Sequence, residues 1–311
     1  MIICLTGASG FVGQAVLKTA EERGLKIRPV YRSMESANGH PKAELVSGLG
    51  PTTDWTQALL GAEVVIHAAA RAHIMRNLAP DPLAEYRCVN VQGTLCLARQ
   101  AAAAGVRRFV FISSIKVNGE ATTSGCPFTA DDTPAPSDSY GQSKAEAETL
   151  LKQVARDTGM EVTIIRPPLI YGLGVKGNFA SLISWVRRGL PLPLGAVTEN
   201  CRSLVGLDNL VDLILVCTSH PKAAHQTFLV SDGEDLSTTE LLKKIGIASG
   251  QQVRLLWVPI WLISLMASLL GKKVIAQRLL GSLKIDISKT CKLLDWKPSV
   301  ALDEGLRRVF E

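Results

Sequence analysis

The chain has 311 residues, is 47 % hydrophobic and carries a formal net charge of +6. That is enough apolar material for one large domain or two ordinary ones, and it excludes a disordered or fibrous chain. The basic excess does not read as a nucleic-acid surface, because Arg107-Arg108, Arg187-Arg188, Lys243-Lys244 and Lys272-Lys273 stand as isolated pairs and form no run.

Met1 to Leu5 is a short apolar run that predicts a buried strand, and Gln14 to Arg23 predicts a helix. The turn between them reads Thr6-Gly7-Ala8-Ser9-Gly10-Phe11-Val12-Gly13, with glycines every third residue. A strand-to-helix turn without Cβ atoms lets a phosphate approach the backbone and lets the helix pack close to the sheet. The N–H groups of the new helix then face a pyrophosphate. Gly7, Ser9, Gly10 and Gly13 are therefore candidate dinucleotide-binding positions. Met1 begins a strand and not a charged leader, and the seven cysteines are odd in number with no C-x-x-C pair. Both features predict a reducing, cytoplasmic setting and no metal site.

Lys26 to Tyr31 predicts strand two. An acidic residue at its end would bind the adenosine ribose and select NAD. Arg32 and Ser33 stand there instead. A guanidinium and a hydroxyl suit a 2′-phosphate, so NADP(H) is expected to be preferred, with NAD(H) as the alternative. Ala43 to Val46 predicts strand three and Val64 to His67 strand four. Pro82 to Ala104 predicts one long helix ended by Gly105. Arg108 to Ser113 is a continuous apolar strand of the kind buried on both faces.

Strand five ends in Ser113-Ser114, at the ligand edge of the sheet. Ser139 to Thr158 predicts a helix that places Tyr140 and Lys144 on one face. A nearby ammonium and a cationic nicotinamide would favour the phenolate and bring the tyrosine toward neutral pH as an acid-base group. The Ser114 hydroxyl would bond a substrate carbonyl and its developing alkoxide. Ser114, Tyr140 and Lys144 are thus the candidate catalytic residues. Val162 to Arg166 predicts strand six, and Pro167-Pro168 is expected to end regular structure. Beyond it, Phe179 to Arg188, Asp208 to Ser219, the capped segment from Ser237-Thr238-Thr239-Glu240 to Ser249, and Leu302 to Phe310 predict helices. Thr227 to Val230 predicts a strand. Trp257 to Leu270 is almost wholly apolar, is interrupted by Pro259 and is too short to span a bilayer; it is expected to be a helix buried in the second domain, with an interfacial helix as the alternative. Contact with a membrane surface is not expected.

The alternation predicts an α/β, Rossmann-type doubly wound parallel sheet over residues 1–165, with a smaller C-terminal substrate domain mainly in 166–311. Segments near 204–231 are expected to return to the sheet.

The glycine turn, His67-Ala-Ala-Ala70, Val89-Asn90, Ser113-Ser114, Tyr140-x-x-x-Lys144, Arg166-Pro-x-x-Ile-Tyr-Gly172 and Leu294-Asp-Trp-Lys-Pro298 together resemble the extended short-chain dehydrogenase/reductase family, of NAD-dependent epimerase/dehydratase type. The resemblance covers essentially the whole chain. It implies that Ser114, Tyr140 and Lys144 are the catalytic trio, that Lys144 also holds the nicotinamide ribose, and that Ala68, Ala69 and Ala70 line the cofactor's path. It places Phe11, Val12, Leu49 and Pro167 beside the cofactor too, and gives Asn90 a supporting role. Where relatives carry Asp-Leu to bond adenine, this chain has Gly48-Leu49. The segments 113–120, 175–179 and 202–209 resemble bacterial enzymes described either as UDP-glucose 4-epimerase-like or as 4-ketoreductases of O-antigen and lipopolysaccharide synthesis. This implies a UDP-sugar partner, with Lys176, Asn178 and Arg202 toward its phosphates and Lys116 and Asn118 near the sugar.

The expected reaction is NADP(H)-dependent reduction of a UDP-4-keto-6-deoxy-N-acetylhexosamine, giving a quinovosamine- or fucosamine-type sugar. The alternatives are a UDP-sugar 4-epimerase with tightly bound NAD and a non-catalytic NADP-binding sensor. A homodimer is an open expectation.

Overall fold

The computed structural model describes residues 1–72, 81–123 and 125–311, apart from the side chains of Asn178 and Val274. Its strands are β1 (Ile2–Thr6), β2 (Lys26–Tyr31), β3 (Glu44–Leu45), β4 (Val64–His67), β5 (Arg108–Ile112), β6 (Glu161–Arg166), β7 (Leu169–Tyr171), β8 (Arg202–Gly206), β9 (Thr227–Leu229) and β10 (Asp235–Leu236). Seven of them form a parallel sheet in the order β3-β2-β1-β4-β5-β6-β9. The chain leaves β1 toward one edge and returns beside it with β4, so the strand order reverses between these two. A doubly wound sheet binds its ligand beyond the carboxyl ends of the strands at that crevice.

The sheet is buried on both faces, and the period of two sorts its residues. Ile3, Leu5, Val64, Ile66, Val110 and Ile165 join one core, which receives the helix Phe11–Glu22. Cys4, Val65, Phe109, Phe111, Val162 and Ile164 join the other, under the helix Ser139–Thr158. This is why Val64–Ile66 of β4 and Phe109–Ile112 of β5 are apolar without interruption.

Four features depart from the sequence-based expectations. The long helix from Pro82 runs through to Ala103, but its middle, Arg87–Gly93, widens to π-helical hydrogen bonding. The extra residue in that turn re-aims its side chains, which matters for Asn90 below. Pro167-Pro168 does not end regular structure: β7 follows at once and pairs with β8 in a second, three-stranded sheet of order β10-β8-β7. Within 204–231, β8 therefore lies in the small sheet, whereas β9 joins the large one beside β6. The small sheet shares a core of Tyr171, Phe179, Leu204, Leu242, Ile245 and Leu306 with the flanking helices.

The fourth departure is the apolar stretch at 257–270. It forms the helix Ile260–Leu269, with Pro259 at its N-cap, yet none of its residues is buried. The expectation of a core helix fails because only Ile263 packs on the neighbouring core, leaving the other faces outward. No helix among the described residues is long and apolar enough to cross a membrane.

Candidate functional site

The glycine turn forms because two of its residues leave no room for a side chain. Gly7 has φ +73°, and a Cβ there would stand 2.6 Å from the Ala69 nitrogen. A Cβ on Gly13 would stand 2.0 Å from the Gly7 carbonyl oxygen. The turn thus presses against Ala68 and Ala69 at the end of β4, while Gly10 donates to the Gly7 carbonyl at 2.8 Å. Gly10 caps the following helix with no side-chain acceptor, and the first turn, which contains Phe11 and Val12, holds no acid. The backbone N–H groups there have no protein partner in the first turn, as a pyrophosphate site requires. A bare cradle and an uncapped helix start fit a dinucleotide. Ser9 and Ala70 are exposed beside it.

His67 ends β4 fully buried between two hydroxyls, its Nδ1 2.6 Å from Thr6 Oγ1 and its Nε2 2.9 Å from Thr94 Oγ1. Burial, aided by the Lys144 charge, pushes its pKa down to about 3, so it is a neutral strut between strand and helix. Asn90, carried by the π-helical turn, accepts from the Arg71 N–H at 2.8 Å and donates to the Arg71 carbonyl at 3.1 Å and to Ser143 Oγ at 3.0 Å. It ties the segment after β4 to the helix that bears Tyr140.

That helix starts at Asp138, whose carboxylate accepts from the Gly141 N–H at 2.7 Å. Its first turn lies on the short 3-10 turn Ile115–Val117, so closely that a Cβ on Gly141 would stand 2.7 Å from the Lys116 carbonyl. Ser114 caps that 3-10 turn: its Oγ accepts from the Lys116 N–H at 3.3 Å. The hydroxyl proton of Ser114 remains available to a substrate oxygen. The Pro167 carbonyl accepts from the Ile115 N–H at 3.0 Å and holds the turn from the β6 side. Lys144, one turn below Tyr140, is buried and donates to the Ile112 carbonyl at 2.8 Å, with its Nζ 4.3 Å from the Phe111 ring centre. Ser114, Tyr140 and Lys144 are in this way drawn to the carboxyl end of β5.

Electrostatics differ from the sequence-based expectation at one point. Burial raises the Tyr140 phenol above its ordinary value, and the Asp138 carboxylate and Tyr86 add to the rise. Tyr86 packs edge-on to its ring at 6.0 Å. Lys144 does not offset this, because its ammonium is turned to the Ile112 carbonyl and burial pulls its own pKa down to about 7, against the Glu148 charge that raises it. An unfolded lysine titrates near ~10.4. Below about pH 7 the folded protein must therefore hold a buried cation at a cost, and between that pH and ~10 the unfolded chain binds the extra proton. The contribution of Lys144 to stability is thus least favourable in acid and improves as pH rises. Lys144→Met is expected to be more stable than the parent at pH 6, by up to about 4 kcal/mol, with the advantage fading toward pH ~10. Urea unfolding across that range checks this; a variant less stable at every pH would refute it.

Sequence reasoning missed the polar network beneath the site. Ser113 Oγ donates to Glu148 at 2.6 Å. Arg166 grips both Glu148 oxygens, at 2.9 and 2.6 Å, and donates to Asn118 Oδ1 at 2.9 Å. Asn118 Nδ2 donates to the Thr129 carbonyl at 2.8 Å. Arg166 and Glu148 are both almost wholly buried. The substrate-facing role expected of Asn118 does not hold, since both ends of its amide are spent inside this network. The signal was present in Arg166 at the end of a buried strand, where a charge needs a partner, but no spacing rule identifies Glu148 as that partner.

The remaining expected binding residues are scattered more widely. Arg32 is exposed at the end of β2, and the Ser33 hydroxyl is engaged in capping Met34–Ala37 through Ser36. Leu49 packs against the core under the Ser139–Thr158 helix. Lys116 is half-buried and ion-paired to Asp138 and Glu120, so it clamps the start of the Tyr140 helix. Lys176 is exposed in the turn after β7. The Asn178 side chain lies outside the described residues. Arg202, on β8, donates to the carbonyls of Arg278 at 2.6 Å and Gly281 at 3.0 Å. Burial, and next to it the Arg278 guanidinium, lower its pKa, against the Glu120 carboxylate, which raises it and lies 3.8 Å from Arg278. Arg278 went unnoticed in the sequence, because its neighbour on β8 is 76 residues away.

Residues 3–231 match the NAD dependent epimerase/dehydratase family. A UDP-glucose 4-epimerase of Vibrio cholerae is 49 % identical over 311 residues, covering 99 % of this chain and 94 % of that protein. The chain is also similar in structure to a UDP-glucose 4-epimerase of Thermotoga maritima solved with UDP-glucose (TM-score 0.77, 22 % identity, 100 % of this chain and 97 % of that one). A UDP-glucuronic acid 4-epimerase of Bacillus cereus in complex with NAD aligns with a TM-score of 0.79 at 19 % identity, over 100 % of this chain and 97 % of that one.

Proposed function

This chain belongs to the NAD dependent epimerase/dehydratase family, and we propose that within it the protein interconverts the C4 epimers of a UDP-sugar with a resident NAD(H). The observation that carries this reading is the near-full-length identity to the Vibrio cholerae UDP-glucose 4-epimerase. It favours epimerisation over the 4-ketoreduction expected from the sequence, which we set aside together with the NADP(H) preference. The Ser33 hydroxyl is engaged within its own helix cap on both sides, accepting from the Ser36 N–H and donating to Ser36 Oγ, each at 3.2 Å, which weakens the case for a 2′-phosphate site.

In this reading residues 1–165 hold the cofactor, and 166–311 supply most of the substrate contacts. The glycine turn and the start of the Phe11–Glu22 helix hold the pyrophosphate, and Lys144 holds the nicotinamide ribose. Held there, NAD would supply the acceptor for the C4 hydrogen with its electron pair and the donor for its return. Tyr140 removes the proton of the 4-hydroxyl and later restores it. The Ser114 hydroxyl bonds the same oxygen as its charge develops. The Tyr140 phenolate, which burial opposes, would be favoured by positive charge placed beside it. Arg202, with Arg278 beside it, attracts the diphosphate. Inversion then requires that the keto sugar present its opposite face before the return step.

Nucleotide released from the purified protein by denaturation should be NAD in near-stoichiometric amount. Incubation with UDP-glucose should yield UDP-galactose with no net change in reduced nicotinamide, and UDP-N-acetylglucosamine should be tested alongside. Net NADPH consumption with a UDP-4-keto-6-deoxy-N-acetylhexosamine, and no epimer from either sugar, would overturn the reading.

A further inference from the structure

The helix Ile260–Leu269 is apolar on every side except Ser264 and Ser268, and not one of its residues is buried. A surface helix of a water-bathed protein shows a charged outer face; one that is apolar all round needs an apolar covering. Trp257 is 73 % exposed, Trp261 67 %, Leu269 79 % and Leu270 67 %, and Leu265 and Met266 lie outward with them. Exposed apolar groups occur singly on any protein, but a contiguous set of this size marks an interaction face. The helix packs against its successor, Lys273–Leu280, and is tied to the body through Ile263 and through backbone bonds of Arg254 and Leu256 with Leu192. It is thus held in place rather than frayed.

The charge around this face identifies its occupant. From Leu241 to Ile285 there is no aspartate or glutamate, while seven lysines and arginines occur. Arg254, Lys272 and Lys273 are exposed at the two ends of the apolar face and form no salt bridge among the described residues. A second copy of the chain is a poor match, since a self-complementary contact would need acids in the same region to meet these cations. An anionic bilayer supplies both missing halves: hydrocarbon for the helix and phosphate for the rim. Two tryptophans four residues apart, Trp257 before the helix and Trp261 in its first turn, and a lysine pair at its end have the distribution of interfacial anchors. Ten residues rise about 15 Å, half a bilayer core, so the helix lies in one leaflet.

We infer that the exposed segment 257–273 docks the protein on a membrane surface rich in anionic phospholipid. The inference does not depend on the catalytic reading above. Its test is co-sedimentation of the full chain with vesicles of phosphatidylglycerol in phosphatidylcholine, against vesicles of phosphatidylcholine alone. The full chain is expected to bind the anionic vesicles, more weakly at high salt, with a blue shift of its tryptophan emission. Trp257→Ser/Trp261→Ser should lower the vesicle partition about tenfold or more. Lys272→Glu/Lys273→Glu should do so for anionic vesicles only. Both variants should keep the parent's urea-unfolding midpoint, which shows that they are folded. Absence of binding to either vesicle would overturn the inference, as would binding indifferent to the lysine changes. A concentration-dependent dimer abolished by the tryptophan changes, without vesicle binding, would assign the face to a second copy instead.

Discussion

Tyr140→Phe should lower turnover by about 10²- to 10⁴-fold, the usual worth of a positioned acid-base group, while leaving KM for the UDP-sugar nearly unchanged. The hydroxyl is the only atom removed, and the ring keeps its edge-on contact with Tyr86. The helix start is held by the Asp138 cap and by Lys116 and does not need the phenol. The loss should therefore appear in kcat alone, with the unfolding midpoint and the retained nucleotide both unaltered. A variant within threefold of the parent would show that another group moves the proton, and Ser114 would then be the residue to examine. The parent's rate should also climb with pH on the side where the phenol must ionise, because burial holds that proton more tightly than in free tyrosine.

Arg166→Met is expected to cost about 3–5 kcal/mol of stability, because it leaves the Glu148 carboxylate buried without its partner. Two other losses follow from the same change. Asn118 loses the donor on its Oδ1, and Ser113 is left bonding a carboxylate that has lost its guanidinium. The network spans the end of β5, the Tyr140 helix, the end of β6 and the 3-10 turn after Ser114, so activity should fall along with stability. Glu148→Met should be similarly damaging. The double variant Arg166→Met/Glu148→Met should recover much of the loss, since an apolar pair of similar volume removes both desolvation penalties. Urea unfolding of the four proteins forms a complete cycle. Additive losses in the double variant would mean that the pair acts through packing alone and not as an ion pair.

Much of the molecule was legible from local rules. Strand-helix alternation and the continuous apolar runs of β4 and β5 led to the doubly wound sheet, because a strand buried on both faces cannot be patterned otherwise. The capping box at Ser237 and Glu240 marked its helix to the residue. The glycine spacing announced a turn with no room for Cβ atoms, and the structure supplies the reason in the 2.0 Å approach of Gly13 to the Gly7 carbonyl. Tyr140 and Lys144 share a helix, so their common face follows from the period alone.

What tertiary structure decided involves partners far apart in sequence or surfaces set by packing. β7 was hidden because two prolines precede it, and its ladder is made with β8, over thirty residues on. Asn118 looked like a substrate contact until Arg166, 48 residues away, claimed its oxygen. Lys144 was expected to lower the tyrosine pKa by proximity, but which acceptor its ammonium meets depends on where β5 places the Ile112 carbonyl. The stretch at 257–270 shows the limit most plainly. Its composition determines that it is a helix and that it must be shielded from water. Whether protein or lipid provides the shield depends on which of its faces the rest of the fold covers, and here only Ile263 is turned to the core.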